Sequence, residues 1–211
     1  MPKQPDAIAK RIASGLGRLA LALKAKAWKS AADEGITPTQ GEVLVRLAEA
    51  PSGARLGDLA HQLGVSAPTA SDAVATLVAK ALIEKRSGDD KRSVTLKLTK
   101  EGKRLAARAA DWTDFLVEAA ETLSDHEREE FLVALIKIIR ALQETGDISP
   151  QRMCVTCEYF RPYTHKDAAN PHHCAFIDTA FGAASLRLNC PDHAEAKEGL
   201  REERWSLFVN G

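Results

Sequence analysis

From Asp6 to about Asp33, apolar side chains return every three or four residues, at Ile8, Ile12, Leu16, Leu19, Leu23 and Trp28. That spacing lines one face of an α-helix. Gly35 ends the pattern, and Thr37-Pro38-Thr39-Gln40 opens the next: an N-cap threonine, a proline at the first helical position and a glutamine placed to complete a capping box. This second helix is expected to carry Val43, Leu44 and Leu47 and to run to Ala50, where Pro51-Ser52-Gly53 makes a turn. Leu56, Leu59 and Leu63 then share a face of a short helix, Gly64 permits a sharp turn, and Ser66 caps a helix to about Lys80 with Ala70, Val74, Leu77 and Val78 turned inward. The pair has the layout of a helix-turn-helix. The exposed start of its second helix offers Ser66, Ala67, Thr69, Ser71 and Asp72, side chains short and polar enough to approach base edges.

At Leu82 the period changes from helical to two. Val94, Leu96 and Leu98 alternate with Thr95 and Lys97, and residues 87–92 form a polar, charged tip, so a β-hairpin is expected. Thr99 then caps a helix expected to continue to about Leu123. Ser124-Asp125-His126-Glu127 is a second capping box. The helix behind it carries Phe131, Leu132, Val133, Leu135, Ile136, Ile138, Ile139 and Leu142, covering more than one face, as at a subunit interface. Gly146-Asp147-Ile148-Ser149-Pro150 breaks it. The expected fold class is mainly α with a β-hairpin wing: a winged helix-turn-helix with long dimerisation helices over residues 1–147, followed by a small irregular four-cysteine unit over residues 148–211.

The formal net charge is +0, yet the charges are segregated. Residues 1–32 are net +6, residues 80–104 net +5 and residues 111–147 net −7. Local field rather than total charge attracts a polyanion. An isolated charged hairpin merely solvates itself; behind a helix-turn-helix, Lys85, Arg86, Lys91 and Arg92 are candidates for phosphate contacts and for entry into a narrow minor groove. No apolar run approaches the roughly 20 residues that cross a bilayer, and the first residues do not read as a secretory signal. A cytoplasmic location is therefore expected.

The order of elements resembles the MarR family of winged-helix repressors over residues 6–146. The resemblance rests on Leu59-Ala60-His61-Gln62-Leu63-Gly64-Val65-Ser66, on Leu77-Val78-Ala79-Lys80-Ala81-Leu82-Ile83, on Asp90-Lys91-Arg92 and on Leu98-Thr99-Lys100-Glu101-Gly102. It implies a homodimer held by the first and last helices, recognition helices in successive major grooves of a double-stranded operator, and wings in the minor groove. It also implies that Asp90 braces the wing and that Arg92 enters the minor groove. His61 is expected to be a surface or packing residue.

All four cysteines lie in the last 58 residues, spaced C-x2-C-x16-C-x15-C-P at Cys154, Cys157, Cys174 and Cys190. In a reducing compartment such a cluster points to metal ligation rather than disulfides. No βαβ pattern surrounds Cys154 and Cys157, which disfavours a thioredoxin-like redox pair. Four thiolates suit a tetrahedral zinc or an iron–sulfur cluster. Zinc ribbons carry a second closely spaced pair, absent here, whereas the separations are similar to those of high-potential iron–sulfur proteins. Tyr159, Phe160, Phe176 and Phe181 are placed to shield a cluster, or to form the small core that such a unit needs. His165, His172, His173 and His193 leave mixed ligation open, though as surface or supporting residues they need no metal.

The sequence thus points to a DNA-binding transcription regulator, a repressor, whose operator affinity responds to a C-terminal iron–sulfur cluster. One alternative keeps the repressor with a structural zinc site and a small-molecule effector. Another is an iron–sulfur redox enzyme, but no Gly-rich cofactor loop and no catalytic constellation accompanies the cysteines, so no enzymatic activity is expected.

Overall fold

The computed structural model describes residues 6–87 and 94–211. It divides into two compact units, Met1–Val117 and Glu118–Gly211. The division falls ahead of the 147/148 boundary read from the sequence, so the helix after Ser124 groups with the cysteine-bearing segment.

In the first unit, α1 spans Ala7–Asp33, α2 Pro38–Ala48, α3 Leu56–Leu63 and α4 Ala67–Ala79. The Thr37/Gln40 capping box forms as expected, each side chain bonding the other's backbone N–H. Gly64 ends α3 at φ +62°, a conformation glycine adopts without steric cost. β1 (Ile83–Ser87) and β2 (Val94–Leu98) pair antiparallel with Ile83 opposite Leu98 and Ser87 opposite Val94. Leu96 and Leu98 are buried while Val94 is exposed, so the inward alternation holds only at the base of the hairpin. The core gathers Val43, Leu44, Leu59, Val74, Leu77 and Leu105. On α1, only Ala31 is buried; Ile8, Ile12, Leu19, Leu21 and Trp28 are exposed.

The single helix expected from Thr99 to Leu123 is broken. α5 covers Lys100–Ala110, a 3-10 turn covers Asp111–Thr113, and α6 covers Asp114–Ala120. The Asp-Trp-Thr-Asp run has low helix propensity, and buried Trp112 docks where a β-carbon on Gly41 would come within 2.4 Å of its ring. Docking the indole over a bare glycine outweighs continuing the helix.

In the second unit, α7 spans Asp125–Glu144, with the Ser124/Glu127 capping box in place. β3 (Phe160–Arg161), β4 (His172–Cys174) and β5 (Thr179–Phe181) form an antiparallel sheet in that order. α8 (Glu198–Asn210) closes the chain. The cysteine segment is therefore not irregular. The breadth of the α7 apolar surface also has a different cause from the one expected: Ile136 is buried with Met153, Val155, Cys157, Phe160, Leu186 and Phe208, while Leu132, Val133 and Ile139 pack against that cluster. What reads as a subunit contact at Ile136 and Ile139 is the core of the chain's own C-terminal unit.

Candidate DNA interface and cysteine-lined cavity

The start of α4 is held from below and open above. Ala70, Ala73, Val74 and Leu77 anchor it in the core, leaving Ser66, Ala67, Thr69, Ser71 and Asp72 exposed. The Ser66 hydroxyl accepts the Thr69 N–H at 3.2 Å and pairs with the Thr69 hydroxyl at 2.8 Å. Both hydroxyls thus serve the cap as well as facing outward. On β1, Lys85 and Arg86 are exposed, and Arg86 is clasped by Glu84, with its Nη2 2.6 Å and Nε 2.8 Å from Oε1. Asp90, Lys91 and Arg92 lie outside the described residues. His61 is exposed on α3. Two clamps position this face: Lys80 donates to the Gly35 carbonyl, and Arg108 grips Glu34 through Nε at 2.6 Å and Nη2 at 2.9 Å. The Arg108 guanidinium holds the Glu34 carboxyl below its ordinary range.

In the second unit the four cysteines reach one place. Cys154 begins a 3-10 turn closed by the Cys157 N–H donating to the Cys154 carbonyl at 2.9 Å. The segment carrying Cys190 is laid against it by two backbone bonds, Cys154 N–H to Arg187 O at 3.0 Å and Cys190 N–H to Arg152 O at 2.9 Å. Cys174 ends β4, opposite Phe160. All four line one cavity of about 330 Å³, together with Tyr159, Phe160, Phe176 and Phe181, the four aromatics singled out in the sequence. None of the cysteines is in a disulfide. Burial pushes the Cys154 thiol up to about 11; the Arg187 amide, donating to its Sγ at 3.3 Å, opposes that, and the other three cysteines add to it.

The histidines stand apart from this cavity, none being among the residues that line it. His172 is buried among Phe160, Tyr163, Phe181 and Phe208, with Nδ1 accepting the Tyr163 N–H at 3.3 Å. His193 shares a 2.9 Å hydrogen bond with the Thr156 hydroxyl, and His173 lies 3.4 Å from Asp178 with its ring tilted against that of His165, centroids 5.2 Å apart. Among the described residues, no three His, Cys, Asp or Glu side chains are gathered so as to hold a single metal ion. Arg187 and Arg204 are the functional candidates that pattern reading missed. Their significance comes from contacts made across the fold, and no spacing in the chain signals it.

Residues 34–93 match the MarR family model. The chain is similar in structure to the MepR–DNA complex of Staphylococcus aureus, with 28% sequence identity and a TM-score of 0.54 over 61% of this chain and 97% of that one. It is likewise similar to a MepR mutant from a multidrug-resistant S. aureus clinical isolate, at 28% identity and a TM-score of 0.51 over 62% and 96% of the two chains. No curated protein matches the chain. These likenesses support a winged-helix fold similar to that of MepR over about three fifths of the chain. More than a third of the chain has no counterpart in MepR.

Proposed function

We propose that this protein is a dimeric MarR-type transcription regulator, a repressor, in which Cys154, Cys157, Cys174 and Cys190 hold an iron–sulfur cluster whose state sets operator affinity. The DNA-binding half rests on one observation: a winged helix similar to that of DNA-bound MepR carries an exposed, capped recognition-helix start. Ser66, Ala67, Thr69 and Ser71 meet base edges in the major groove, and Lys85 and Arg86 meet phosphates. Asp90 and Arg92 keep the wing roles that the family resemblance implies. With Ile136 committed to its own chain's core, the dimer contact is assigned to the exposed apolar stripe of α1.

The cofactor reading is carried by the convergence of four cysteines and four aromatics on one cavity. A single zinc would draw four sulfurs to roughly 2.3 Å from one centre, hence about 3.8 Å from each other. Four cysteines around one cavity of about 330 Å³ leave room for a polynuclear cluster with one thiolate on each corner, and that favours the cluster reading. When bound, the cluster supplies a one-electron redox centre. The chain's own residues orient the thiolates, limit water at the inner wall with Phe160, Tyr159 and Phe181, and bear on α7 through the shared core. The test is anaerobic purification of the full chain with iron and acid-labile sulfide determined, followed by selection of a duplex from a random pool. A brown protein that selects a two-half-site duplex supports both halves. A colourless protein with stoichiometric zinc overturns the cofactor, and failure to enrich any duplex overturns the regulator.

A further inference from the structure

We infer that Arg187 sets the reduction potential of the four-cysteine centre, an inference that rests on the cluster reading above. Arg187 approaches two of the thiols by two separate routes. Its backbone N–H donates to Cys154 Sγ at 3.3 Å, and its guanidinium Nη1 lies 3.7 Å from Cys190 Sγ. Among the described residues that line the cavity it is the one cation, with Asp192 the one carboxylate, and beside the cysteines the remaining wall is aromatic, aliphatic or neutral polar. The geometry around it is built: Leu186, its neighbour, is buried in the core with Ile136 and Phe160, and the Arg187 carbonyl accepts the Cys154 N–H at 3.0 Å.

Reduction by one electron adds negative charge to a centre that four thiolates already make anionic. Hydrogen bonds to the sulfurs and nearby positive charge stabilise that added charge and raise the potential, while exposure to solvent weakens the effect. Arg187 does both at once, on ligands from two different loops, and because the residue is exposed its charge acts partly screened by water. Losing the guanidinium removes the Cys190 contact and the cation but spares the amide bond to Cys154, because that donor is main chain. The centre is therefore expected to remain assembled yet become harder to reduce.

The test uses the full chain reconstituted anaerobically with iron and sulfide, as wild type, Arg187→Gln and Arg187→Lys. Iron and sulfide content are measured first, then a dithionite titration with redox mediators is followed by visible bleaching and electron paramagnetic resonance. Expected is full cluster content in both variants, a midpoint shifted negative in Arg187→Gln, and a smaller shift in Arg187→Lys, which keeps the charge. A wild-type midpoint in a fully loaded Arg187→Gln overturns the inference, as does a Lys variant shifted as far as Gln. Loss of the cluster from both variants also overturns it, making Arg187 a structural support. Wild type that takes up zinc and no cluster shows instead that the cofactor reading itself has failed, and the inference falls with it.

Discussion

Arg204 on α8 donates its Nη1 to the carbonyl oxygen of Cys157 at 2.9 Å, and the same nitrogen lies 2.5 Å from the Glu158 carbonyl. A buried guanidinium from the last helix thus holds the main chain at the second cysteine. Burial lowers its pKa, with Arg161 adding to that effect and Cys157 opposing it. The next residue, Trp205, stacks on Phe208 and lies 5.3 Å beneath the Arg140 guanidinium of α7, which is itself buried and paired with Glu144 at 2.9 Å. α8 is therefore the brace between the cysteine turn and α7.

Arg204→Met is expected to destabilise the second unit by about 1–3 kcal/mol, since the charged hydrogen bonds to the Cys157 and Glu158 carbonyls are lost while the Phe160 N–H and the Arg161 guanidinium remain as their other donors. Hydrogen exchange should accelerate at residues 152–160 and 198–210, with the first unit unchanged. Exchange at wild-type rates in the variant would deny Arg204 this role.

Gly102→Ala is expected to destabilise the winged helix by about 1–3 kcal/mol, as overpacking does. A β-carbon there would lie 2.0 Å from the Leu82 carbonyl oxygen, which is backbone and also accepts the Thr99 N–H at 3.1 Å. Chemical denaturation followed in the first unit reads the loss, and an unchanged midpoint would contradict the close approach.

Acid should loosen the second unit through His172. Burial lowers the His172 pKa from 6.5, so below 6.5 the unfolded chain takes up a proton that the folded ring refuses. The associated stability is present above that value and is lost as pH falls through the lower folded pKa. His172→Phe is expected to flatten the pH dependence of thermal stability in this range, although it strands the Tyr163 N–H at all pH values. Parallel acid profiles in variant and wild type would show that His172 is not the group.

Lys85→Ala is expected to weaken DNA binding to all sequences alike and to reduce the slope of log affinity against log salt by about 1, the signature of one lost phosphate contact. Fluorescence anisotropy on a selected duplex at several salt concentrations measures it. An unchanged slope would remove Lys85 from the interface.

The caps and the start of α4 were legible because they depend on local chemistry: Thr37 and Gln40, Ser66 and Thr69, and Ser124 and Glu127 meet within one turn of chain. The helix break at Trp112 was not, because Gly41, which admits the indole, lies far back along the chain. Nor was the true partner of Ile136, since a broad apolar stripe does not say whether its cover comes from a second subunit or from Val155 and Phe208 of its own. α8 carries Leu200, Arg204, Trp205 and Phe208 at helical spacing, a signal that was present but unread beside the cysteines. The cysteines and their aromatics were legible as a set; the arginines were not, because any of the chain's many basic residues serves equally well on a surface.

The most direct measurement is operator affinity of the full chain, loaded and anaerobic, before and after oxidation by air, beside Cys174→Ser and Cys190→Ser under the same conditions. Wild type is expected to change affinity by at least about tenfold, equivalent to roughly 1.4 kcal/mol of coupling and within the usual allosteric range. The two serine variants are expected to hold one affinity throughout, with cluster content lost and the helices of the first unit retained. An operator affinity that is the same in loaded, oxidised and cysteine-substituted protein would contradict the regulatory role of the four-cysteine centre.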